Sequence, residues 1–89
     1  MLLTVINIEI NFLYVSSLKG RRKILNSIKD RLKNKNLSIL DLSGEYAKEG
    51  ALAIAYLSLT QDEKEKKKEK ILEILDSFYG EIEFDVFVE

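Results

Sequence analysis

Cations are the residues of this 89-residue chain with the clearest chemical capacity. Between Ser16 and Asn36 stand Lys19, Arg21, Arg22, Lys23, Lys29, Arg31, Lys33 and Lys35, against one acid, Asp30. The whole chain has a formal net charge of −1, so the remainder is strongly acidic. Lys19, Arg22, Asn26, Lys29 and Lys33 step by three and four, the spacing that lines side chains along one ridge of a helix. From Lys19 to Lys33 such a ridge spans ~21 Å at ~1.5 Å per residue. A cationic row of that length can follow several phosphates of a nucleic-acid backbone. The same row also fits a solvated polar face, or a surface that meets an acidic protein. Anionic lipid fits less well, because the apolar side of the same helix is needed elsewhere.

The entrance to this helix, Ser16, Ser17, Lys19 and Gly20 with Arg21 and Arg22 beside them, combines free first-turn amides, the positive end of a helix dipole and cations. It reads either as an anion site or as a simple serine cap. Other constellations offer less. Ser16-Ser17-Leu18-Lys19 matches the S-x-x-K spacing of serine acyl-enzymes, but the other motifs of those enzymes are missing. Ser16 to Arg22 only loosely resembles the phosphate-cradling loop and arginine of an acylphosphatase. The carboxylates Glu81, Glu83, Asp85 and Glu89 alternate along a strand without a loop of convergent oxygen ligands, so a solvated edge strand is expected rather than a metal site. The chain has neither histidine nor cysteine, which removes the usual general base, the commonest metal ligand and any disulfide. The expectation is a non-enzymatic protein with no cofactor and no metal.

The elements that position these residues follow from periodicity. Ile6, Ile8, Ile10 and Phe12 alternate with Asn7, Glu9 and Asn11, a half-buried strand within Leu2 to Leu13. The basic helix follows, with Leu18, Ile24, Leu25, Ile28 and Leu32 as its apolar side, closed by Lys33-Asn34-Lys35-Asn36. Gly20 occupies the third helical position, where a capping box would place Glu or Gln. Leu37 to Ser43 is a short strand whose apolar residues fit either alternation, so a bulge is expected there. Ala51 to Leu59 is apolar at odd and even positions alike, which predicts a central strand covered on both faces. Thr60-Gln61-Asp62-Glu63 is a capping box. Its helix opens with a charged run whose Lys64, Lys67 and Lys68 overhang the sheet in water, with Asp62–Lys66 and Glu63–Lys67 pairs, and stops at Gly80 as the C′ residue. Glu81 to Glu89 is the last strand, with Ile82, Phe84, Val86 and Val88 inward.

The order β-α-β-β-α-β across residues 1–89 predicts a single ferredoxin-like α+β domain, a four-stranded antiparallel sheet with two helices on one face. Its acids argue against an RNA-binding sheet platform, and only Tyr56 stands mid-strand near such a position. No apolar run approaches membrane-spanning length, and Met1 to Val5 lacks the basic leader of a signal peptide, so a cytoplasmic protein is expected.

Ser17-Leu18-Lys19-Gly20-Arg21-Arg22, with Ile28-Lys29-Asp30-Arg31-Leu32-Lys33-Asn34 and Asn36-Leu37-Ser38-Ile39, resembles the YlxP-like family of small bacterial proteins of unknown function. The resemblance runs over the whole chain. It implies a ferredoxin-like fold and, from the translation and transcription genes that commonly neighbour the family, a role with RNA or the ribosome. Two positions depart from the family pattern. Gly20 stands where Glu is usual, and no Trp opens the third strand, where Tyr46 is the candidate substitute. Residues and resemblance together give two expectations. One is an RNA- or ribosome-associated accessory protein using Lys19, Arg21, Arg22, Lys23, Lys29 and Lys33. The other is a structural or regulatory homodimer packed through the open sheet face.

Overall fold

The computed structural model describes residues 1–33 and 35–89; Asn34, within the helix-closing segment, lies outside the described residues. The elements are β1 (Leu2–Phe12), α1 (Leu18–Leu32), β2 (Ser38–Asp41), β3 (Glu49–Ser58), α2 (Gln61–Asp76) and β4 (Ile82–Val88). They form one antiparallel sheet in the order β2-β3-β1-β4. Each helix connects two strands separated by a third, which is the ferredoxin-like α+β plan.

Register sorts the sheet into two unlike faces. β1 pairs with β3 from Leu2↔Ser58 to Asn11↔Glu49, and with β4 from Ile6↔Val88 to Phe12↔Ile82. Side chains alternate along a strand, so Ile6, Ile8, Ile10 and Phe12 share a face with Leu52, Ile54, Tyr56 and Ile82. All are buried beneath Leu25, Ile28 and Leu32 of α1 and Ile71 and Leu75 of α2. The odd residues of β1 and β3 point to the other face, which neither helix covers.

Several expectations change. The prediction that both faces of β3 are covered fails among the described residues. Leu57 is 52% exposed on the open side, while Ala51, Ala53 and Ala55 are half-buried there chiefly because they are small. Tyr56 belongs to the helix face, where its hydroxyl donates to the Lys64 carbonyl at 3.1 Å. β2 is shorter than expected and pairs with β3 residue for residue, without a bulge; Ile39 packs on the core and Leu40 points outward. Beyond Ser38↔Ala55, β3 has no strand on that side, and Lys67 Nζ donates to the Leu57 carbonyl at 2.8 Å. Lys64, Lys67 and Lys68 are therefore half-buried rather than overhanging, their stems packed while the charges reach water. The Lys66–Asp62 and Lys67–Glu63 pairs form as expected, at 3.1 and 3.5 Å. The Thr60 hydroxyl accepts from the Glu63 amide, and the Glu63 carboxylate reaches back to the Leu59 amide, one residue beyond the usual capping-box target. α2 ends at a Ser77 cap, so Gly80 is not its C′ residue; it turns the chain into β4 at φ +87°. At the far end of β4, Val88 lies on the helix face opposite Ile6, as expected, but is 43% exposed.

Gly50 lies opposite Ile10 at the mouth of the core. A Cβ built there would stand 2.8 Å from Cε2 of the buried Phe12 ring and 3.1 Å from Ser43 Oγ. Replacing Gly50 with Ala is expected to destabilise the domain by about 1–3 kcal/mol through overpacking. Urea unfolding of the two proteins measures it.

Candidate nucleic-acid interface

α1 begins where the sequence places it. Ser17 is the N-cap, and its Oγ accepts from the Gly20 amide at 3.1 Å. The Arg21 amide bonds to the Ser17 carbonyl, which leaves the Leu18 and Lys19 amides for solvent among the described residues. Ser16 is exposed and does not cap. Cα-bound hydrogen is all that Gly20 presents at this entrance, and a Cβ there would make ordinary contacts, 3.4 Å from Ser17 Oγ and 3.5 Å from a Val15 methyl. Lys29 and Arg31 lie in the last turn, suited to the negative end of the dipole.

The expected cations separate into two groups. Lys19, Arg22 and Lys23 are exposed on the first two turns and make no ion pair among the described residues. Arg21, Lys29, Arg31 and Lys33 are engaged, while Lys35, beyond the end of the helix, is exposed. Arg21, expected among the phosphate contacts, is turned inward instead. Its Nη1 donates to the carbonyl oxygens of Tyr46 and Glu49 at 3.0 and 2.9 Å, clamping the loop between β2 and β3, and its Nε is buried without a partner. Lys29 is ion-paired with Asp41 at 3.0 Å, both about one-third exposed. Lys33 lies 3.7 Å from Asp30 on the open surface, a pair worth little in water. Arg31 stacks over Phe78, 4.9 Å from the ring centroid, and donates to Ser77 Oγ. The ridge therefore presents a free cationic patch at its N-terminal half and a neutralised stretch beyond Asn26.

Between α1 and β2 runs a narrow groove of about 90 Å³ edged by Arg22, Asn26, Lys29 and Asp41. Partial burial acts to raise the Asp41 pKa, but hydrogen bonds from Ser43 and the Lys29 ammonium outweigh it, and the net shift is below the usual 3.8. The sequence does carry the signal for Arg21. It falls on the i, i+3, i+4 stripe with Leu18, Leu25, Ile28 and Leu32, the side of the helix that meets the protein. Among the described residues no group of three or more His, Cys, Asp or Glu side chains could hold a metal ion. No helix among them is long and apolar enough to cross a membrane.

Two helices on one face of a β2-β3-β1-β4 sheet, with a cationic first helix, define a ferredoxin-like α+β protein. Residues 3–86 match the family described as "Protein of unknown function (DUF503)", and the chain belongs to that family. No curated protein matches it. Among solved structures it is similar to the de novo designed protein Foldit4, at a TM-score of 0.62 and 16% identity over 98% of this chain and 96% of that one. It is also similar to the designed protein Ferredog-Diesel, at a TM-score of 0.57 and 19% identity over 96% and 83%. A VAO-type flavoprotein from Myceliophthora thermophila C1 matches at a TM-score of 0.62 and 13% identity; 98% of this chain covers 18% of that one. At such identities the likeness is one of fold.

Two substitutions test this local account. An ionised Asp41 with a depressed folded-state pKa contributes stability that is present above pH ~4 and lost as pH falls through the folded value. Asp41→Asn is therefore expected to be less stable than the natural protein at pH 7 and to match it near pH 2, as read by urea unfolding at both. Gly20→Ala is expected to stabilise the domain by about 0.5–1 kcal/mol by removing helical glycine, read as an upward shift in the thermal midpoint.

Proposed function

We propose that this chain is a YlxP-like bacterial protein that acts in the cytoplasm as a non-enzymatic accessory factor, binding RNA on or near the ribosome through the first half of α1. One observation carries the reading: Lys19, Arg22 and Lys23 project together from the outer surface of a helix whose underside is fixed by Leu25, Ile28 and Leu32. Each free cation can neutralise one phosphate, and the binding energy comes mainly from counterions released by the nucleic acid. The exposed first-turn amides beside Lys19 add donors for a phosphate oxygen. Lys33 extends the row weakly, while Arg21 and Lys29 hold the scaffold that presents it.

The homodimer reading draws on Leu40, Leu57 and Phe87, all exposed on the open sheet face. That face also carries five acids, and its own strands bring no cation to balance them. Face-to-face pairing of two copies is the weaker reading for that reason.

The proposal predicts binding of structured RNA at low salt with a steep inverse dependence on salt concentration. Reversing Lys19, Arg22 and Lys23 to Glu lowers affinity at least ~10-fold and flattens the salt dependence, because each lost phosphate contact removes about 0.7–0.9 from the log–log slope. Reversing Lys33 alone changes affinity far less. Filter binding or fluorescence anisotropy across a salt series measures both. Absence of binding at low salt, or affinity unchanged by the triple reversal, contradicts the proposal.

A further inference from the structure

The open face of the sheet has its own chemistry, distinct from that of α1. Cross-strand register lays it out in rows. Leu40, Ala53, Asn7 and Phe87 lie side by side, as do Ser38, Ala55 and Val5, and then Leu57 and Leu3. Toward the other end of the strands the residues become acidic. Glu9 lies directly opposite Asp85, and Asn11 has Glu49 on one side and Glu83 on the other. Glu89 accepts a hydrogen bond from Asn7 at 2.9 Å and adds a fifth carboxylate. The open-face strand residues include no lysine or arginine.

Besides a hollow of about 260 Å³ at its Leu3–Leu57 edge, where Lys67 contributes to the lining, two concavities mark this face. One, of about 220 Å³, lies between Val5, Ser38 and Leu40 and is floored by Ala53 and Ala55; its lining is almost wholly apolar. The second, of about 420 Å³, is edged by Glu9, Asn11 and Glu49 and floored by Gly50 and Ala51. Along β3 their centres are some four residues apart, or ~13 Å at ~3.4 Å per residue. The direct opposition of Glu9 and Asp85 costs the fold stability, since like charges across a strand pair repel. A ligand cation seated beside Glu9 in the larger hollow would offset that repulsion.

We infer that the open sheet face is a docking surface for a basic, amphipathic segment of another protein. The segment seats a bulky apolar side chain in the alanine-floored hollow and a lysine or arginine between Glu9 and Glu49. Charge decides among occupants. Nucleic acid and anionic lipid are repelled by five carboxylates. A second copy offering the same face brings five more and no counter-charge. A cationic segment gains steering from the acidic end and buried area from the apolar end, the combination that gives a small interface both its rate and its anchor. This inference is independent of RNA binding by α1, which uses the opposite side of the molecule.

The test titrates the 15N-labelled full chain with three synthetic peptides of equal length. One carries alternating leucines and lysines, the second replaces its lysines with glutamate, and the third replaces its leucines with serine. The first peptide is expected to shift the amides of Val5, Glu9, Ala53, Ala55 and Asp85, and each of the others to bind at least ~10-fold more weakly. Glu9→Gln with Asp85→Asn leaves the fold intact, confirmed by its spectrum, and weakens the first peptide by about the same factor. Arg22→Glu with Lys23→Glu leaves that binding unchanged, which separates this surface from the RNA-contacting one. Equal binding of the acidic peptide, shifts confined to other elements, or no binding by any peptide overturns the inference. Sedimentation of the free chain that rises with concentration and reverts in a Leu57→Glu, Phe87→Glu variant also overturns it, by assigning the face to another copy.

Discussion

The unbroken pairing of β1 with β3 is the constraint on which the rest of the structure depends. Ten residues of each strand face one another in fixed register, and a slip of one residue would turn every core side chain outward. With that register set, Ile6, Ile8, Ile10, Leu52 and Ile54 lie under the helices. Glu9, Glu49 and the alanines must lie on the other side. α1 is then placed by its apolar stripe against the even face, and its outer surface carries whatever charge the sequence supplies. The two charged surfaces are thus not independent placements: one pairing register determines both.

That register also separates charge. The free cations of α1 and the acids of β1, β3 and β4 lie on opposite layers of a thin α/β sandwich. Between α1 and the sheet the signs meet at the seam with the β2–β3 region. There Lys29 pairs with Asp41, and Arg21 ties the carbonyls of Tyr46 and Glu49. These contacts hold the first helix to the edge of the sheet, so cations that looked like ligand contacts serve as fasteners. A helix fastened in this way presents Lys19, Arg22 and Lys23 at a fixed angle, which favours recognition of a phosphate array over loose attraction.

Much of this was legible in the sequence. Alternation in β1 and β4, the capping box of α2 and the three-four stripe of α1 gave the fold and its order, because each is a local pattern with one structural solution. The phase of β2 was not legible, since Leu37, Ile39, Leu40 and Leu42 fit either face and an edge strand tolerates both. Arg21 was misplaced although its position on the apolar stripe was visible, because charge was weighed above period. The half-burial of Lys64 and Lys67 was hidden for a different reason. It depends on β2 starting only at Ser38 and leaving the Leu57 carbonyl open, which is a tertiary fact. Tyr56 was drawn to the helix side by the same even parity as Leu52 and Ile54, and its hydroxyl found the Lys64 carbonyl.

The likeness to two de novo designed proteins is one of fold and carries no function with it. What distinguishes the chain is the charge laid upon it: unpaired cations outward on the first half of α1, carboxylates outward on the open face of the sheet. The most direct measurement is residue-by-residue amide relaxation in the presence of oppositely charged paramagnetic cosolutes. An anionic probe is predicted to enhance relaxation most at the amides from Lys19 to Asn26, and a cationic probe most at Glu9, Glu49 and Asp85. Equal enhancement of both regions by the two probes would contradict the account.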